Sequence, residues 1–246
     1  MVSYIKTSVA AAATLLCMGA AQAVIVTIDF EQPVNSSTTP FAPYAPLLTH
    51  GDEFYQKNFW IDTLSNAPGA QAGDLVGALV DGTGVGQTCV GLVCPTNNAT
   101  TFFAALDDGL LSLGRTDGLN FTIDGFDAAF LGDTTGLLST VPGRIIFQGV
   151  NAATGAQSAF AFSLTANGQF ASFAPSAASA LRNTAWRQMF IYGQTCNTAG
   201  ACSSFNSDRA QFALDNLRLN VIPEPTTLAL VALALTGLGF ARRRQA

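Results

Sequence analysis

The sequence predicts an all-β protein, an antiparallel jelly-roll-like β-sandwich, with an apolar segment at each end that stands outside the domain. Three observations carry this. Short segments with apolar residues at every second position recur about 8 to 14 residues apart, the spacing of sandwich and barrel strands. Glycine-containing turns divide several of them: Thr116-Asp117-Gly118, Ala153-Thr154-Gly155 and Ala166-Asn167-Gly168. Eighteen phenylalanines, most of them in these segments, supply apolar volume for a two-layer core.

Met1 to Ala23 holds one lysine, Lys6, then an apolar run from Val9 to Ala21, then Ala21-Gln22-Ala23. This is the order of a secretory signal peptide, residues 1–23, with Ala21 and Ala23 as the small residues read by signal peptidase and cleavage after Ala23. The run falls short of the ~20 residues of a spanning helix. Leu16 before Cys17 is not the small residue that a lipoprotein signal needs.

The domain follows at 24–222. Val24 to Glu31 alternates Val26, Ile28 and Phe30 against Ile25, Thr27, Asp29 and Glu31, as a half-buried strand does. Pro33 to His50 contains four prolines and cannot be a central strand, so it reads as a surface connection. Phe54 to Leu64 and Asp74 to Val80 read as strands, the second closed by Asp81-Gly82. Leu119 to Leu131 reads as a long strand bulged at Gly125. Further strands are expected at Arg144–Asn151, Ser158–Thr165, Gln169–Phe173, Trp186–Tyr192 and Gln211–Val221, with one alanine-rich helical turn at Ala174–Arg182.

Cys89, Cys94, Cys196 and Cys202 stay in this body as two local pairs. Four cysteines allow three connectivities, and neighbour pairing is the simplest because each intervening segment is short and loop-like. A zinc site is the alternative, but zinc pairs are usually closer and the sole histidine, His50, is remote. An exported chain meets oxidising surroundings, which favours disulfides. Seven basic against fifteen acidic side chains leave the body at −8, without a basic stripe, which excludes nucleic acid as a partner.

Past Ile222 the pattern changes. Pro223, Glu224 and Pro225 end strand pairing, and an uncharged run from Thr226 to Ala241 is closed by Arg242, Arg243 and Arg244. As a helix the run is about 24 Å long, which snorkelling arginines extend to a single transmembrane span. The arginines stay cytoplasmic by the positive-inside rule and leave the body outside. Pro-Glu-Pro, apolar run and arginine cluster, in that order at the C-terminus, resemble the PEP-CTERM sorting signal of exopolysaccharide-making bacteria, here residues 223–246. The resemblance implies that Pro223, Glu224 and Pro225 are read by exosortase, a membrane-embedded transpeptidase. It further implies export across the inner membrane, transient anchoring by the tail, and final delivery to the cell surface or extracellular matrix. Ala210 to Leu219 is also similar to the QFxxD-type PEP-CTERM group, with Gln211, Phe212 and Asp215 at the named positions.

No catalytic site is expected. His50 lies in a proline-rich stretch, and G-x-S-x-G, H-E-x-x-H and P-loop patterns do not occur. Asp107, Asp108, Asp124 and Asp127 offer carboxylates for glycosidase chemistry, but Asp107-Asp108-Gly109 reads more simply as a turn, and Asp124 and Asp127 flank a bend. A structural calcium is the other candidate. Asp29 and Glu31 share a strand face, and Asp215 stands on the last strand, which pairs with the first in many jelly rolls. Against it, Asp215 reads more simply as an acceptor at a strand bend and Glu31 as solvated. Tyr44, Tyr55, Trp60, Trp186 and Tyr192 are the aromatics able to stack on sugars, though each reads individually as core. The expected role is an exported structural protein or one associated with exopolysaccharide; the alternatives are a carbohydrate-binding module, with or without a stabilising calcium, and, behind it, an exopolysaccharide-modifying enzyme. Intact-mass measurement on protein from the native host is expected to show loss of residues 1–23 and of the tail. A retained C-terminus refutes processing.

Overall fold

The computed structural model describes residues 24–35, 47–83, 88–89, 92–166, 168–205 and 208–221, with 34–35, 88–89 and 93 described by their backbone alone. The predicted signal peptide, the tail from Ile222, Tyr44 and most of the Pro33–His50 stretch lie outside them. No helix among the described residues is long and apolar enough to cross a membrane, and the predicted C-terminal span is not among them.

In chain order the strands are β1 (Val24–Ile28), β2 (Val34–Asn35), β3 (Leu47–Thr49), β4 (Glu53–Gln56), β5 (Phe59–Ser65), β6 (Leu75–Asp81), β7 (Thr88–Cys89), β8 (Leu92–Val93) and β9 (Thr101–Ala105). There follow β10 (Gly109–Arg115), β11 (Phe121–Phe130), β12 (Gly143–Asn151), β13 (Gln157–Leu164), β14 (Ala171–Phe173), the short helix α1 (Ala180–Asn183), β15 (Trp186–Cys196), β16 (Cys202–Ser203) and β17 (Phe212–Val221). All but β7 and β8 belong to one antiparallel sheet of 15 strands.

The sheet is curled on itself, so the predicted sandwich takes the form of a continuous half-barrel. One stretch runs β2-β4-β5-β10-β15 and on through β12 to β13. The other runs β3-β6-β9-β17-β11 to β14. β11 pairs along the whole of β17, so β9 and β1 share the opposite side, β9 taking its first half and β1 its second. First and last strands therefore pair, as expected. The two stretches join where Phe121 of β11 pairs with Trp186 of β15.

The core lies inside the curl. Phe54, Phe59, Leu113, Phe147 and Ile191 of one stretch meet Ile28, Phe103, Phe126, Leu217 and Leu219 of the other. A smaller cluster of Ala78, Val80, Phe102, Ala104, Ala129 and Ala213 lies on the opposite face of β6, β9, β17 and β11, packed against Leu92 and Phe170. Strand alternation produces both clusters, because successive side chains of each strand point to opposite faces.

The structure departs from several sequence expectations. Phe54 to Leu64 is not one strand but the β4–β5 hairpin, turned at Lys57 and Asn58 with φ of 49° and 67°. Lysine is not a residue that signals positive φ, so the turn was hidden. Asp107-Asp108-Gly109 is a turn, with φ of 46° and 57° at the aspartates, but it carries the chain between two strands that the sequence reading missed, β9 and β10. The helical turn shrinks to Ala180–Asn183, capped by the Ser179 hydroxyl, which accepts from the Leu181 amide. The bulge at Gly125 is present as register shifts on both sides of that residue. Cys196 and Cys202 form a disulfide that ties β15 to β16. Cys94 is also disulfide-bonded, and the Cys89 side chain lies outside the described residues.

Phe126 lies 4.4 Å from Phe147 and 5.0 Å from both Phe162 and Phe173, ring centre to ring centre. Phe126→Ala is expected to cost about 3 to 5 kcal/mol, read as a lower urea midpoint at unchanged slope.

Candidate functional site

The β4–β5 hairpin divides its side chains between inside and outside. Phe54, Gln56, Phe59, Ile61 and Thr63 are buried, while Glu53, Tyr55, Trp60 and Asp62 are half-buried on the outer face. Register sets Glu53 opposite Asp62 and Tyr55 opposite Trp60. On the next strand, β10, Ser112 lies beside Asp62 and Gly114 beside Trp60. The missing side chain at Gly114 makes room for the indole, since a Cβ there would stand 2.5 Å from a Trp60 ring carbon. Glu53, Tyr55, Trp60, Asp62 and Thr116 line an open cleft of about 310 Å³.

The cleft is acidic. The Tyr55 hydroxyl donates to Glu53 Oε1, which raises the phenol above its usual range. Burial, then a hydrogen bond with Glu53 and its charge, push the Asp62 carboxyl up to about 6. No basic side chain lines the cleft among the described residues. Lys57 pairs with Asp29, Arg115 with Asp117, Arg182 with Asp124, Arg209 with Asp133 and Arg218 with Asp127. Arg144 is on β12, three strands from β5 and so about 14 Å away. Arg187 is exposed at the β15 bulge opposite Val150 and Asn151.

A second cleft of about 320 Å³ adjoins the first on the same face, lined by His50, Leu64, Leu110, Gln148, Phe190 and Tyr192 among others. Its polar groups already hold one another in hydrogen bonds. The Tyr192 hydroxyl donates to Gln148 Oε1 at 2.9 Å, and Gln148 Nε2 donates to Gln157 Oε1 at 2.8 Å. His50 Nδ1 accepts from the Ser65 amide at 2.8 Å, and Tyr192 packs on Phe205 with ring centres 5.0 Å apart. Trp60 and Leu64 stand two alternate positions apart on β5, about 13 Å, so one extended ligand can cross both clefts. Aromatic walls with a few convergent oxygen acceptors favour a ligand that is apolar on one face and hydroxylated at its edge.

The other sequence candidates are dispersed. Asp29 accepts from Gln56 Nε2 and Lys57 Nζ, and Glu31 from the Thr101 amide and hydroxyl. Asp215 is fully buried and accepts from Asn98, Thr100 and the Asn216 amide; burial raises its carboxyl. The described residues contain no group of three or more His, Cys, Asp or Glu able to hold a metal. Phe212 is core, and Gln211 lends its carbonyl to Leu131. Asp124 and Asp127 are held by Arg182 and Arg218, and Asp107 and Asp108 stand at their turn. Trp186 is core as expected. Tyr55, Trp60 and Tyr192 are not: they stand half-exposed on the outer face, because their parity on the strand is opposite to that of Phe54, Phe59 and Ile191. The signal for the site was Glu53-x-Tyr55 and Trp60-x-Asp62, an acid and an aromatic two apart on each arm, legible only once the turn is set at Lys57-Asn58.

An all-β domain with an open aromatic and acidic cleft thus precedes a C-terminal sorting segment. Residues 221–245 match the PEP-CTERM protein-sorting motif, which implies export and exosortase-mediated sorting to the cell surface. No curated protein matches the chain. Among solved structures it is similar to a DUF4465 family protein from Bacteroides ovatus, at 8% identity, TM-score 0.43, over 81% of this chain and 99% of that one. It is similar to the CBM22-1–GH10 modules of Clostridium thermocellum xylanase 10B complexed with xylohexaose, at 11% identity and TM-score 0.36, over 83% of this chain and 29% of that one. A third is the enzymatically active domain of bacteriophage CBA120 tailspike protein 4, at 12% identity and TM-score 0.32, over 68% of this chain and 20% of that one. All three TM-scores lie below 0.5.

Asp62 holds its proton more tightly folded than unfolded, near 6 against 3.8. The folded state then binds more protons between those values, so this group's contribution to stability is greatest below about pH 4 and falls as pH rises towards 6. Melting curves of the parent chain and Asp62→Asn are expected to diverge over that window, with the variant gaining relative stability as pH rises. A constant difference refutes the shift.

Proposed function

We propose that the body is a non-catalytic glycan-binding domain, delivered to the cell surface or extracellular matrix by the pathway its tail addresses, with exopolysaccharide as its ligand class. The observation that carries this reading is the facing pair Tyr55 and Trp60 beside Glu53 and Asp62 on the outer face of the sheet. A half-exposed aromatic ring offers an apolar surface to the C–H face of a pyranose, and the carboxylates beside it accept from the sugar hydroxyls. The second cleft extends this surface with Gln148, Phe190 and Tyr192. Half-buried aromatics held outside the core by their strand parity mark a binding surface better than they serve stability. Support for a non-catalytic role comes from the sequence, which lacks nucleophile-elbow, zincin and phosphate-loop motifs. The likeness of Gln211, Phe212 and Asp215 to the QFxxD-type group bears on fold and destination rather than on the ligand.

The test is a glycan array with the full-length chain in detergent, followed by titration of the best ligand, with and without calcium. Trp60→Ala is expected to weaken binding at least about tenfold at an unchanged melting temperature. Binding that survives this substitution at full strength, or a chain that binds no glycan, overturns the proposal.

A further inference from the structure

Resting on that reading, we propose that the cleft between β4 and β5 selects an amine-bearing sugar, a hexosamine unit with a free, protonated nitrogen within a polymer. Charge complementarity in a defined cleft favours such a sugar. Glu53 and Asp62 face each other across the hairpin. Neither takes part in an ion pair among the described residues, whereas Asp29, Asp117, Asp124, Asp127 and Asp133 each do. Two adjacent carboxylates without a cation repel each other, and a third negative group brought beside them by a uronic acid costs more. An ammonium does the reverse. Its three N–H donors suit the two facing carboxylates, and bonds between charged partners are about twice as strong as neutral ones.

The walls work in the same direction. Trp60 and Tyr55 line the same cleft, and an ammonium within about 6 Å of the face of such a ring is attracted to it, most strongly when partly desolvated. The absence of a side chain at Gly114 lets the indole lie close over β10 beside the carboxylates. The adjoining cleft carries no facing carboxylate pair and offers amides and hydroxyls instead, so charge discrimination belongs to the first cleft and the rest of the face accepts any hydroxylated chain. The body's net charge of −8, from seven basic and fifteen acidic side chains, draws a polycation towards it at low salt.

The experiment is isothermal titration of the full-length chain in detergent with four hexamers, of glucosamine, N-acetylglucosamine, glucose and galacturonic acid, at a pH where the amine is protonated. The glucosamine hexamer is expected to bind at least about tenfold more tightly than its acetylated and glucose counterparts, and the galacturonate hexamer most weakly. Added salt is expected to erode only the glucosamine advantage. The double variant Glu53→Gln, Asp62→Asn is expected to abolish that advantage. Equal affinity for the glucosamine and N-acetylglucosamine hexamers on the parent chain overturns the proposal without any variant having to fold, as does a preference that the double variant keeps. In either case glucose binding that depends on Trp60 leaves the glycan reading standing. A chain that binds none of the four, or that ignores Trp60→Ala, removes that reading too.

Discussion

The indole of Trp186 sits where the sheet turns over its core. It is almost wholly buried, its Nε1 donates to the Leu181 carbonyl at 2.9 Å, and its residue pairs with Phe121 across the join between the two stretches. On the neighbouring strand only a glycine is tolerated beside it, because a Cβ at Gly149 would stand 2.4 Å from the ring. Phe160 meets the indole edge to face at 5.9 Å. From this one packed corner β15 runs out as the central strand, with β10 on one side and β12 on the other. The curl, the shared core and the outer face all follow from how that corner closes.

The outer face is a consequence of filling the inside. Once Phe54, Phe59, Ile61, Leu113 and Ile191 are committed to the core, parity alone sends Tyr55, Trp60, Asp62, Phe190 and Tyr192 outward. Two aromatics and two carboxylates arrive at one place because a two-residue turn pairs Glu53 with Asp62 and Tyr55 with Trp60. A turn one residue longer would break that alignment. The rigid strand pairing of β4, β5 and β10 supplies the preorganisation that a loop-borne site would lack.

The last strand carries a second set of constraints. Asp215 and Asn216, the latter at φ 47°, form an irregularity in β17 facing the Gly125 bulge of β11. Asp215 is buried there and accepts from Asn98 and Thr100, which fastens the segment after Cys94 to the sheet. Val221, the last residue of β17, pairs with Val24, the first of β1. The expected signal-cleavage junction and the start of the matched sorting motif therefore adjoin neighbouring ends of two paired strands.

The sequence by itself determined the all-β class, most strand positions, the bulge at Gly125, the local pairing of Cys196 with Cys202 and the nature of the tail. These are local properties: alternation, turn chemistry, short cysteine spacing, and a tripartite motif of contiguous residues. It hid β9 and β10, whose runs of small and apolar residues are buried on both faces and so show no clean alternation. It also hid the hairpin at Lys57-Asn58, and with it the cleft. Only the tertiary structure decided which face of each strand is inside. Tyr55, Trp60 and Tyr192 are large aromatics of a kind that also fills cores, as Trp186 does, and nothing in their identity tells which side of the sheet they occupy. Asp29, Glu31 and Asp215 were candidate calcium ligands because first and last strands were expected to pair, and they do pair, yet each carboxylate is taken by its own partners in space. Glu53 and Asp62, never paired by the sequence, were brought together by register, because a strand's neighbours are set by the turn that folds it back.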